Sequence, residues 1–190
     1  MYSYLIIGAP RQGKSRYTKA MITQPETINR PCLVFDTQNE YGDTYKTLIN
    51  NRVQMVPGIG LPANRFTLPR SRYASAEMDM DHFLDIAALK RGCNIIFEEA
   101  TIFFEGRTDQ KLRSLIVGRF HTGNNYIFVF HTICTIPPKI LRMTNFIILF
   151  KTLDEESEIW NRYKNKKLIE AFKKQAIKPD GSSPEIIRLI

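Results

Sequence analysis

Residues 8–15 of the chain read Gly8-Ala9-Pro10-Arg11-Gln12-Gly13-Lys14-Ser15. This GxxxxGKS pattern follows the apolar run Tyr4-Leu5-Ile6-Ile7, and a helix is expected to follow it to about Met21. A strand, a glycine loop and a helix in this order form the context that a phosphate-binding loop requires. The two glycines permit backbone angles at which successive N–H groups turn inward around a phosphate. The sequence therefore predicts nucleotide binding, and the alternative is an ordinary glycine-rich turn.

Two side chains of this stretch are expected to carry its chemistry. Lys14 is predicted to reach the β- and γ-phosphates of a nucleotide, and the Ser15 hydroxyl to ligate Mg²⁺. The N-terminus of the following helix adds its positive dipole end. We therefore expect ATP and Mg²⁺ at this loop, with nucleotide contacts from Gly8, Ala9, Pro10, Arg11, Gln12, Gly13, Lys14, Ser15 and Arg16.

A second anchor is the run Asn94-Ile95-Ile96-Phe97-Glu98-Glu99-Ala100, in which apolar residues lead into two carboxylates. This is the form of a Walker B strand. Glu98 is predicted to hold Mg²⁺ through its water shell, and Glu99 to polarise the water that attacks the γ-phosphate. Buried strands also end in acids by chance. The acidic pair therefore indicates a nucleotide site only in combination with the glycine loop earlier in the chain.

Further apolar runs predict a parallel sheet that is covered on both faces. Besides residues 2–7 and 94–97, buried strands are expected at 32–35, 126–130 and 146–150. Helices are expected after Gly13, from a Ser75 cap to about Lys90, from Thr108 or Asp109, and in two stretches after Asp154. A helix at 44–50 and strands at 53–56 and 65–68 are also predicted, around a long loop rich in proline and glycine. The expected fold class is α/β, a P-loop NTPase three-layer sandwich with a mainly parallel central sheet.

Composition sets the broad class of the protein. A chain of 190 residues with 43% hydrophobic content can bury a core of its own. It contains no apolar run of membrane-spanning length, and no cationic leader precedes the first strand, so we expect neither a transmembrane segment nor a secretion signal. The cysteines stand far apart without metal-ligand spacing, which favours free thiols in a reducing compartment.

Charge is distributed unevenly along a chain of formal charge +8. Seven basic residues and one acid lie between Arg162 and Lys178, and four arginines and no acid lie between Arg52 and Arg72. Each stretch is either a polyanion contact or a solvated face. We divide the chain into an ATPase core at 1–153 and a basic helical extension at 154–190, whose last residues are apolar enough to dock as a strand or bind a partner.

Two more residues are candidates for the site. Arg119 continues the apolar face of a predicted helix at i+3 from Ile116, and it either snorkels to the rim or reaches a neighbouring subunit's phosphate. His131 follows the strand at 126–130, at the end suited to sense a nucleotide. A structural histidine is the alternative, and the adjacent Thr132 is a second candidate for the sensor.

Three segments resemble the FtsK–HerA superfamily of DNA-pumping ATPases, and within it the small genome-packaging ATPases of tailless icosahedral viruses, many of which have an internal membrane. The segments are 34–41, where an aspartate precedes Glu-Tyr; Glu98-Glu99-Ala100; and Gly118–Gly123 with the strand to His131 and Ile136-Pro137 after it. The acidic pair is typical of P-loop ATPases with a catalytic glutamate, the ASCE class, in which a strand is inserted between the Walker A and Walker B strands.

The resemblance implies a homo-oligomeric ring, expected to be a hexamer, in which Arg119 acts in trans as an arginine finger. ATP hydrolysis would then move double-stranded DNA through a basic pore into a preformed capsid, with DNA contacts expected at 65–72 and 164–174. It also implies capsid or vertex partners, an internal membrane reached through them, and a location at the packaging vertex or in host cytoplasm. The family usually has aspartate at the position of Glu98 and glutamine at the sensor, where His131 stands.

Other classes share parts of this pattern. A nucleoside or small-molecule kinase has the same glycine loop and size, and the arginines at 65, 70 and 72 could mimic its lid, although Glu98 and Glu99 fit hydrolysis better. A phage assembly ATPase of the Zot type shares the superfamily but generally adds a membrane segment. A nucleotide-gated scaffold is disfavoured by the intact Lys14, Ser15 and Glu99.

Overall fold

A computed structural model of the chain describes residues 1–22, 30–36, 72–75, 80–104, 106–178 and 183–189. Its centre is one seven-stranded sheet in the order β3-β2-β4-β5-β1-β6-β7. Strands β1 to β6 pair in parallel, and β7 pairs antiparallel with β6. Their bounds are β1 Ser3–Ile7, β2 Cys32–Phe35, β3 Arg72–Ser75, β4 Asn94–Phe97, β5 Asn125–Phe130, β6 Phe146–Leu149 and β7 Glu185–Arg188.

The order of the strands confirms the predicted fold class. The strand that precedes the glycine loop, β1, and the strand that precedes the paired carboxylates, β4, are not neighbours, because β5 lies between them. The mainly parallel sheet and this inserted strand are the arrangement expected of an ATPase with a catalytic glutamate. The apolar C-terminal segment docks as the strand β7, which was one of its two predicted roles.

Helices cover both faces of the sheet. The described helices are α1 Lys14–Ile22, α2 Met80–Leu89, α3 Gly106–Val117, α4 Arg119–Thr122, α5 Pro138–Met143, α6 Glu156–Tyr163 and α7 Lys166–Ile177. A 3-10 turn, Ala100–Phe103, follows β4. None of the helices in the described part of the chain is both long and apolar enough to cross a bilayer.

Alternation along the strands divides the core into two layers. One cluster takes Leu5, Ile95 and Phe128 from the strands and packs them against Leu84 of α2, Leu112 of α3, Ile140 of α5, Ile159 of α6 and Leu168 of α7. The other takes Ile6, Ile96 and Val129 from the opposite face and packs them against Met21 and Ile22 of α1. The near-continuous apolar runs in the sequence follow from this burial on both faces.

Several predicted elements need correction or lie outside the described residues. Ser75 does not cap a helix: it is the last residue of β3, where it pairs with Phe35, and α2 begins at Met80. Pairing with a neighbouring strand here overrides the local preference of serine for a cap. Helix α3 begins at Gly106, two residues before the predicted start. The elements predicted at 44–50, 53–56 and 65–68 lie outside the described residues.

Buried asparagines form a hydrogen-bond network at the amino-terminal ends of β4 and β5. The Asn124 side chain accepts a hydrogen bond from the Cys93 backbone N–H at 2.9 Å and donates one to the Lys90 carbonyl at 3.1 Å. Beside it, the Asn125 amide donates to the Asn94 side-chain oxygen at 2.9 Å. These bonds tie the starts of β4 and β5 to the end of α2.

Replacing Asn124 with alanine should lower the free energy of unfolding by about 2–4 kcal/mol, because one buried N–H and one buried C=O would each lose a partner. Urea unfolding measures this change. Asn161→Ala on α6, where the side chain is exposed, is the matched control and should change stability by less than about 0.5 kcal/mol. An equal loss in both variants would contradict the role given to the Asn124 contacts.

Candidate active site

The glycine loop is fixed by the strands that flank β1. The Gly8 N–H donates to the Phe130 carbonyl at 3.1 Å, and the Ala9 N–H donates to the Lys151 carbonyl at 2.8 Å. A Cβ at Gly8 would lie 2.6 Å from the Phe150 Cβ, closer than side-chain carbons approach, so this position requires glycine. Gly13 has a φ of +86°, the left-handed region that favours glycine.

The geometry beside the loop fits a nucleotide. Helix α1 begins at Lys14, so its first N–H groups, which have no acceptor within the helix, face the loop. A cavity of about 570 Å³ opens next to it, and its lining includes four of the residues predicted to bind nucleotide. The lining residues are Arg11, Gln12, Gly13, Arg16, Tyr17, Ala20 and Phe150.

Lys14 is buried, with 6% of its surface exposed. Its Nζ donates to the Gly8 carbonyl at 2.6 Å and to the Ala9 carbonyl at 3.0 Å, and it lies 3.1 Å from Nδ1 of His131. The ammonium group is therefore held inside the turn of the glycine loop, in contact with a residue 117 positions later in the chain.

His131 joins Lys14 to Glu99. The Nε2 atom of His131 lies 2.5 Å from Oε1 of Glu99, on the opposite side of the ring from Lys14. Because an ammonium group only donates, the contact with Lys14 assigns Nδ1 as an acceptor. The proton of the neutral ring is then on Nε2, where it donates to the carboxylate. The structure thus brings together Lys14, His131 and Glu99, all three predicted from the sequence as catalytic.

Glu99 adopts an unusual backbone conformation. Its φ of 53° and ψ of 41° lie in the left-handed region, and it directly precedes the 3-10 turn after β4. This conformation costs a residue with a side chain roughly 1–2 kcal/mol. It turns the Glu99 carboxylate toward His131, whereas Glu98, one residue earlier, is buried with 6% exposure.

The oxygen donors near β4 fit a magnesium ion. Glu98 follows β4, and the buried Asp36 follows the neighbouring β2, where Phe35 pairs with Phe97. Ser15 lies in the first turn of α1. Within the described residues no group of three or more His, Cys, Asp or Glu could hold a metal by itself. Mg²⁺ ordinarily takes one or two carboxylates together with substrate phosphates and water, so this donor set suits it.

Arg119 lies at the amino-terminal ends of the strands, opposite the ends that carry the glycine loop. It opens α4 just before β5, and the Thr122 carbonyl accepts a hydrogen bond from the Gly92 N–H before β4. A strand rises about 3.3 Å per residue, so the six residues of β5 put roughly 20 Å between Arg119 and the glycine loop of its own chain. Arg119 is therefore not part of the site that its own chain forms.

Arg119 does not snorkel to the rim, since 7% of its surface is exposed. Its Nη1 donates to the Ile116 carbonyl at 2.9 Å, its guanidinium lies 4.5 Å from the centre of the Phe120 ring, and burial lowers its pKa. Among the described residues, its Nε has no hydrogen-bond partner. Phe120 itself is 65% exposed, so the arginine lies beneath an apolar surface.

We name residues 131–137 the sensor loop. It contains both candidate sensors, His131 and Thr132, and their side chains make different contacts. His131 contacts Lys14 and Glu99, whereas the Thr132 hydroxyl donates to the Thr135 hydroxyl at 3.0 Å. The loop is also bonded to Asp154 and Tyr163 of the C-terminal extension. The sequence gives no sign of either contact, because Asp154 has the local pattern of an acid before a helix and the partners of both residues lie 20 to 30 positions earlier in the chain.

Burial also sets the protonation of two groups behind the sensor loop. It raises the pKa of Tyr163 to about 12, so the phenol remains a hydrogen-bond donor at neutral pH. Burial and the neighbouring Asp154 carboxylate raise the pKa of Cys134 to about 12, so this cysteine remains a thiol. No disulfide joins the cysteines of the described chain.

Solved structures with this fold include B204, the genome packaging NTPase of Sulfolobus turreted icosahedral virus 2. Its complex with AMP matches with a TM-score of 0.70 at 15% identity, over 98% of this chain and 92% of B204. Its complex with AMPPCP matches with a TM-score of 0.65 at 15% identity, over 100% and 98%. B204 of Sulfolobus turreted icosahedral virus, a DNA-packaging ATPase, matches with a TM-score of 0.63 at 16% identity, over 100% and 98%.

These likenesses extend over essentially the full length of both chains and show that the fold is that of a P-loop NTPase. No protein-family model matches the sequence, and no curated protein matches it significantly.

The left-handed conformation of Glu99 predicts an order of stability between two variants. Both Glu99→Gly and Glu99→Ala remove the carboxylate, but only alanine keeps the Cβ that this conformation disfavours. The glycine variant should therefore be more stable than the alanine variant by about 1 kcal/mol. Thermal and urea unfolding measure the difference. In an ordinary helix alanine is the more stable of the two, so the opposite order would exclude the left-handed conformation.

Proposed function

We propose that the protein is a Mg²⁺-dependent ATPase that moves double-stranded DNA. The contact of Glu99 with Lys14 through His131 is the observation that carries this proposal. It joins the lysine of a phosphate-binding loop to the acid expected to activate water, across an inserted strand. This arrangement favours hydrolysis over phosphoryl transfer to a bound acceptor, as in a kinase, because the base already lies next to the loop.

The chain's own groups account for the steps of hydrolysis. The glycine loop, the N-terminus of α1 and Lys14 would bind the phosphates. Glu99 would accept the proton of the attacking water, and the Nε2–H of His131 would hold the carboxylate in place until then. His131 is thus our candidate for the γ-phosphate sensor, in preference to Thr132. Ser15 and Glu98 would hold Mg²⁺, which neutralises phosphate charge when bound.

We infer that a neighbouring subunit completes the site. Arg119 is too far from its own glycine loop to act there, and its guanidinium lies beneath the ring of the exposed Phe120. Val117, two residues earlier, is 63% exposed. An apolar surface around a buried arginine suits a contact between subunits. A ring in which each copy presents Arg119 to the next, expected to be a hexamer, would give every site an arginine finger.

The C-terminal extension supplies a surface for DNA. Lys173 pairs with Glu156 and Lys178 pairs with Glu185, each at 2.8 Å, but other basic side chains of α6, α7 and the turn between them are exposed. They are Arg162, Lys164, Lys166, Lys167 and Lys174. Such residues bind phosphates without reading bases, as a translocating motor requires. Of the other predicted DNA contacts, at 65–72, residues 65–71 lie outside the described residues, and Arg72 is the first residue of β3.

We place the protein among the genome-packaging ATPases of the FtsK–HerA superfamily. The full-length likeness to B204, a DNA-packaging ATPase of an icosahedral virus, supports this assignment. On this proposal its partners are DNA, further copies of the chain and capsid or vertex proteins, and an internal membrane is reached through those partners. Its location would be the packaging vertex or the host cytoplasm.

Purified protein should hydrolyse ATP, and double-stranded DNA should raise the steady-state rate. Glu99→Gln, which keeps the size of the side chain and removes its basicity, should lower the rate at least about a hundredfold while ATP binding persists. A phosphate-release assay with and without DNA measures both effects. Turnover that survives in Glu99→Gln would remove Glu99 from the reaction, and a rate that DNA leaves unchanged would contradict DNA-coupled translocation.

Arg119→Ala should lower turnover at least about a thousandfold without loss of ATP binding, if the arginine acts in trans. Mixing Arg119→Ala with Glu99→Gln subunits should then restore activity, because an Arg119→Ala site can receive the arginine of a Glu99→Gln neighbour. For an equal mixture of independent sites, about one quarter of wild-type activity is expected. Recovery also excludes misfolding of Arg119→Ala. Activity in Arg119→Ala alone, or no recovery on mixing, would contradict the trans role.

A further inference from the structure

The sensor loop is hydrogen-bonded near its start to the carboxylate of Asp154, which lies between β6 and α6. Oδ2 of Asp154 accepts from the Ile133 backbone N–H at 2.8 Å, and Oδ1 accepts from the Cys134 N–H at 3.0 Å. Both oxygens of one side chain therefore bind two consecutive N–H groups. Hydrogen bonds to an ionised carboxylate are among the stronger ones in proteins, and a bidentate pair also fixes direction.

The other side of the same loop is bonded to the end of α6. The Tyr163 hydroxyl lies 2.8 Å from the Ile133 carbonyl and is also within hydrogen-bond distance of the Ile136 carbonyl. Nε of Arg162 donates to the Tyr163 oxygen at 3.1 Å, so the phenol accepts from Arg162 and donates to the loop. Asp154 thus binds the N–H groups of the sensor loop, and Tyr163 binds its carbonyls.

The sensor side chain itself is not held by tight packing. The side chain of His131 is 36% exposed and that of Glu99 is 29% exposed, so neither is confined within the core. His131 is the first residue after β5, and its ring direction depends on the course of the backbone that follows. The peptide groups of that backbone at Ile133 and Cys134 are the ones that Asp154 and Tyr163 bind.

We propose that Asp154 and Tyr163 are positioning residues that hold the sensor loop and thereby aim His131 at Glu99. This inference rests on the proposed function, since it assigns the extension a part in the same hydrolysis. In the described part of the chain, no hydrogen bond joins either residue to the glycine loop. Their contribution reaches the reaction through His131, and the first residues of the C-terminal extension therefore belong to the catalytic unit.

A kinetic cycle tests this role. Tyr163→Phe removes only the hydroxyl and should lower kcat about tenfold, with the KM for ATP changed less than about twofold. Asp154→Asn, which keeps the size of the side chain and loses one acceptor, should act in the same direction. In a His131→Ala background, Tyr163→Phe should have no further effect on kcat, because residues that act through a shared group are not additive.

The matched control is Ser3→Ala. Ser3 is the first residue of β1, at the end of that strand away from the glycine loop. Ser3 is buried and donates from its hydroxyl to the Met143 carbonyl at 2.7 Å, so this variant also removes one hydrogen-bonded hydroxyl from the interior. It should lower the melting temperature as Tyr163→Phe does and leave kcat unchanged. An equal fall in kcat in the two variants, or additive effects of Tyr163→Phe and His131→Ala, would overturn the positioning role.

A second readout does not depend on hydrolysis. The chain has three histidines, so the imidazole signals of selectively labelled protein are few, and His131→Ala assigns one of them. Tyr163→Phe should shift the His131 signal and leave those of His82 and His121 in place, whereas Ser3→Ala should move none. An unmoved His131 signal refutes the positioning role. A wild-type protein without ATPase activity refutes the proposed function instead, and this spectrum still decides the position of the ring.

Discussion

The parallel pairing of β5 between β1 and β4 is the constraint on which the site depends. The register sets Ile7 against Phe130, so Gly8 and His131 leave the sheet at the same level. It also sets Phe97 against Phe128, and their rings stack at 5.0 Å in the core. Because side chains alternate between faces, a slip of one residue in β5 would turn His131 away from Lys14 and Glu99. The apolar core thereby fixes contacts between polar residues that are distant in sequence.

The core also holds conformations that the local chain does not favour. Among the described residues other than glycine, positive φ occurs at Arg11, Glu99 and Lys164. Two of these belong to the candidate site, Arg11 in the glycine loop and Glu99 at the exit of β4. Strained backbone persists where the surrounding structure over-determines it, and it concentrates at functional sites. The burial of Lys14 against two carbonyls and an imidazole has the same origin, since neighbouring strands fix the loop that surrounds it.

Local patterns made much of this predictable from the sequence. The glycine loop, the buried strands and the acidic pair at Glu98 and Glu99 are each encoded by adjacent residues, and the structure places them as expected. Contacts between distant residues were not predictable in this way. Asp154 has the local pattern of an acid before a helix, yet its partners are 21 and 20 positions earlier, in the sensor loop. Likewise, the i+3 spacing places Arg119 on the face of Ile116 but does not show that it is buried, and no local pattern shows that Ser75 extends β3.

The C-terminal extension is bound to the core at two places with different consequences. Its last strand, β7, pairs with β6 and forms one edge of the sheet. Three strands lie between β7 and β4, so this attachment is remote from the acidic pair. Its first residues, by contrast, bind the sensor loop through Asp154 and Tyr163, directly behind His131. The basic helix α7 lies between these two attachments and begins at Lys166, three residues after Tyr163. A polyanion bound along α7 would therefore lie on a segment whose first residues are hydrogen-bonded to the sensor loop.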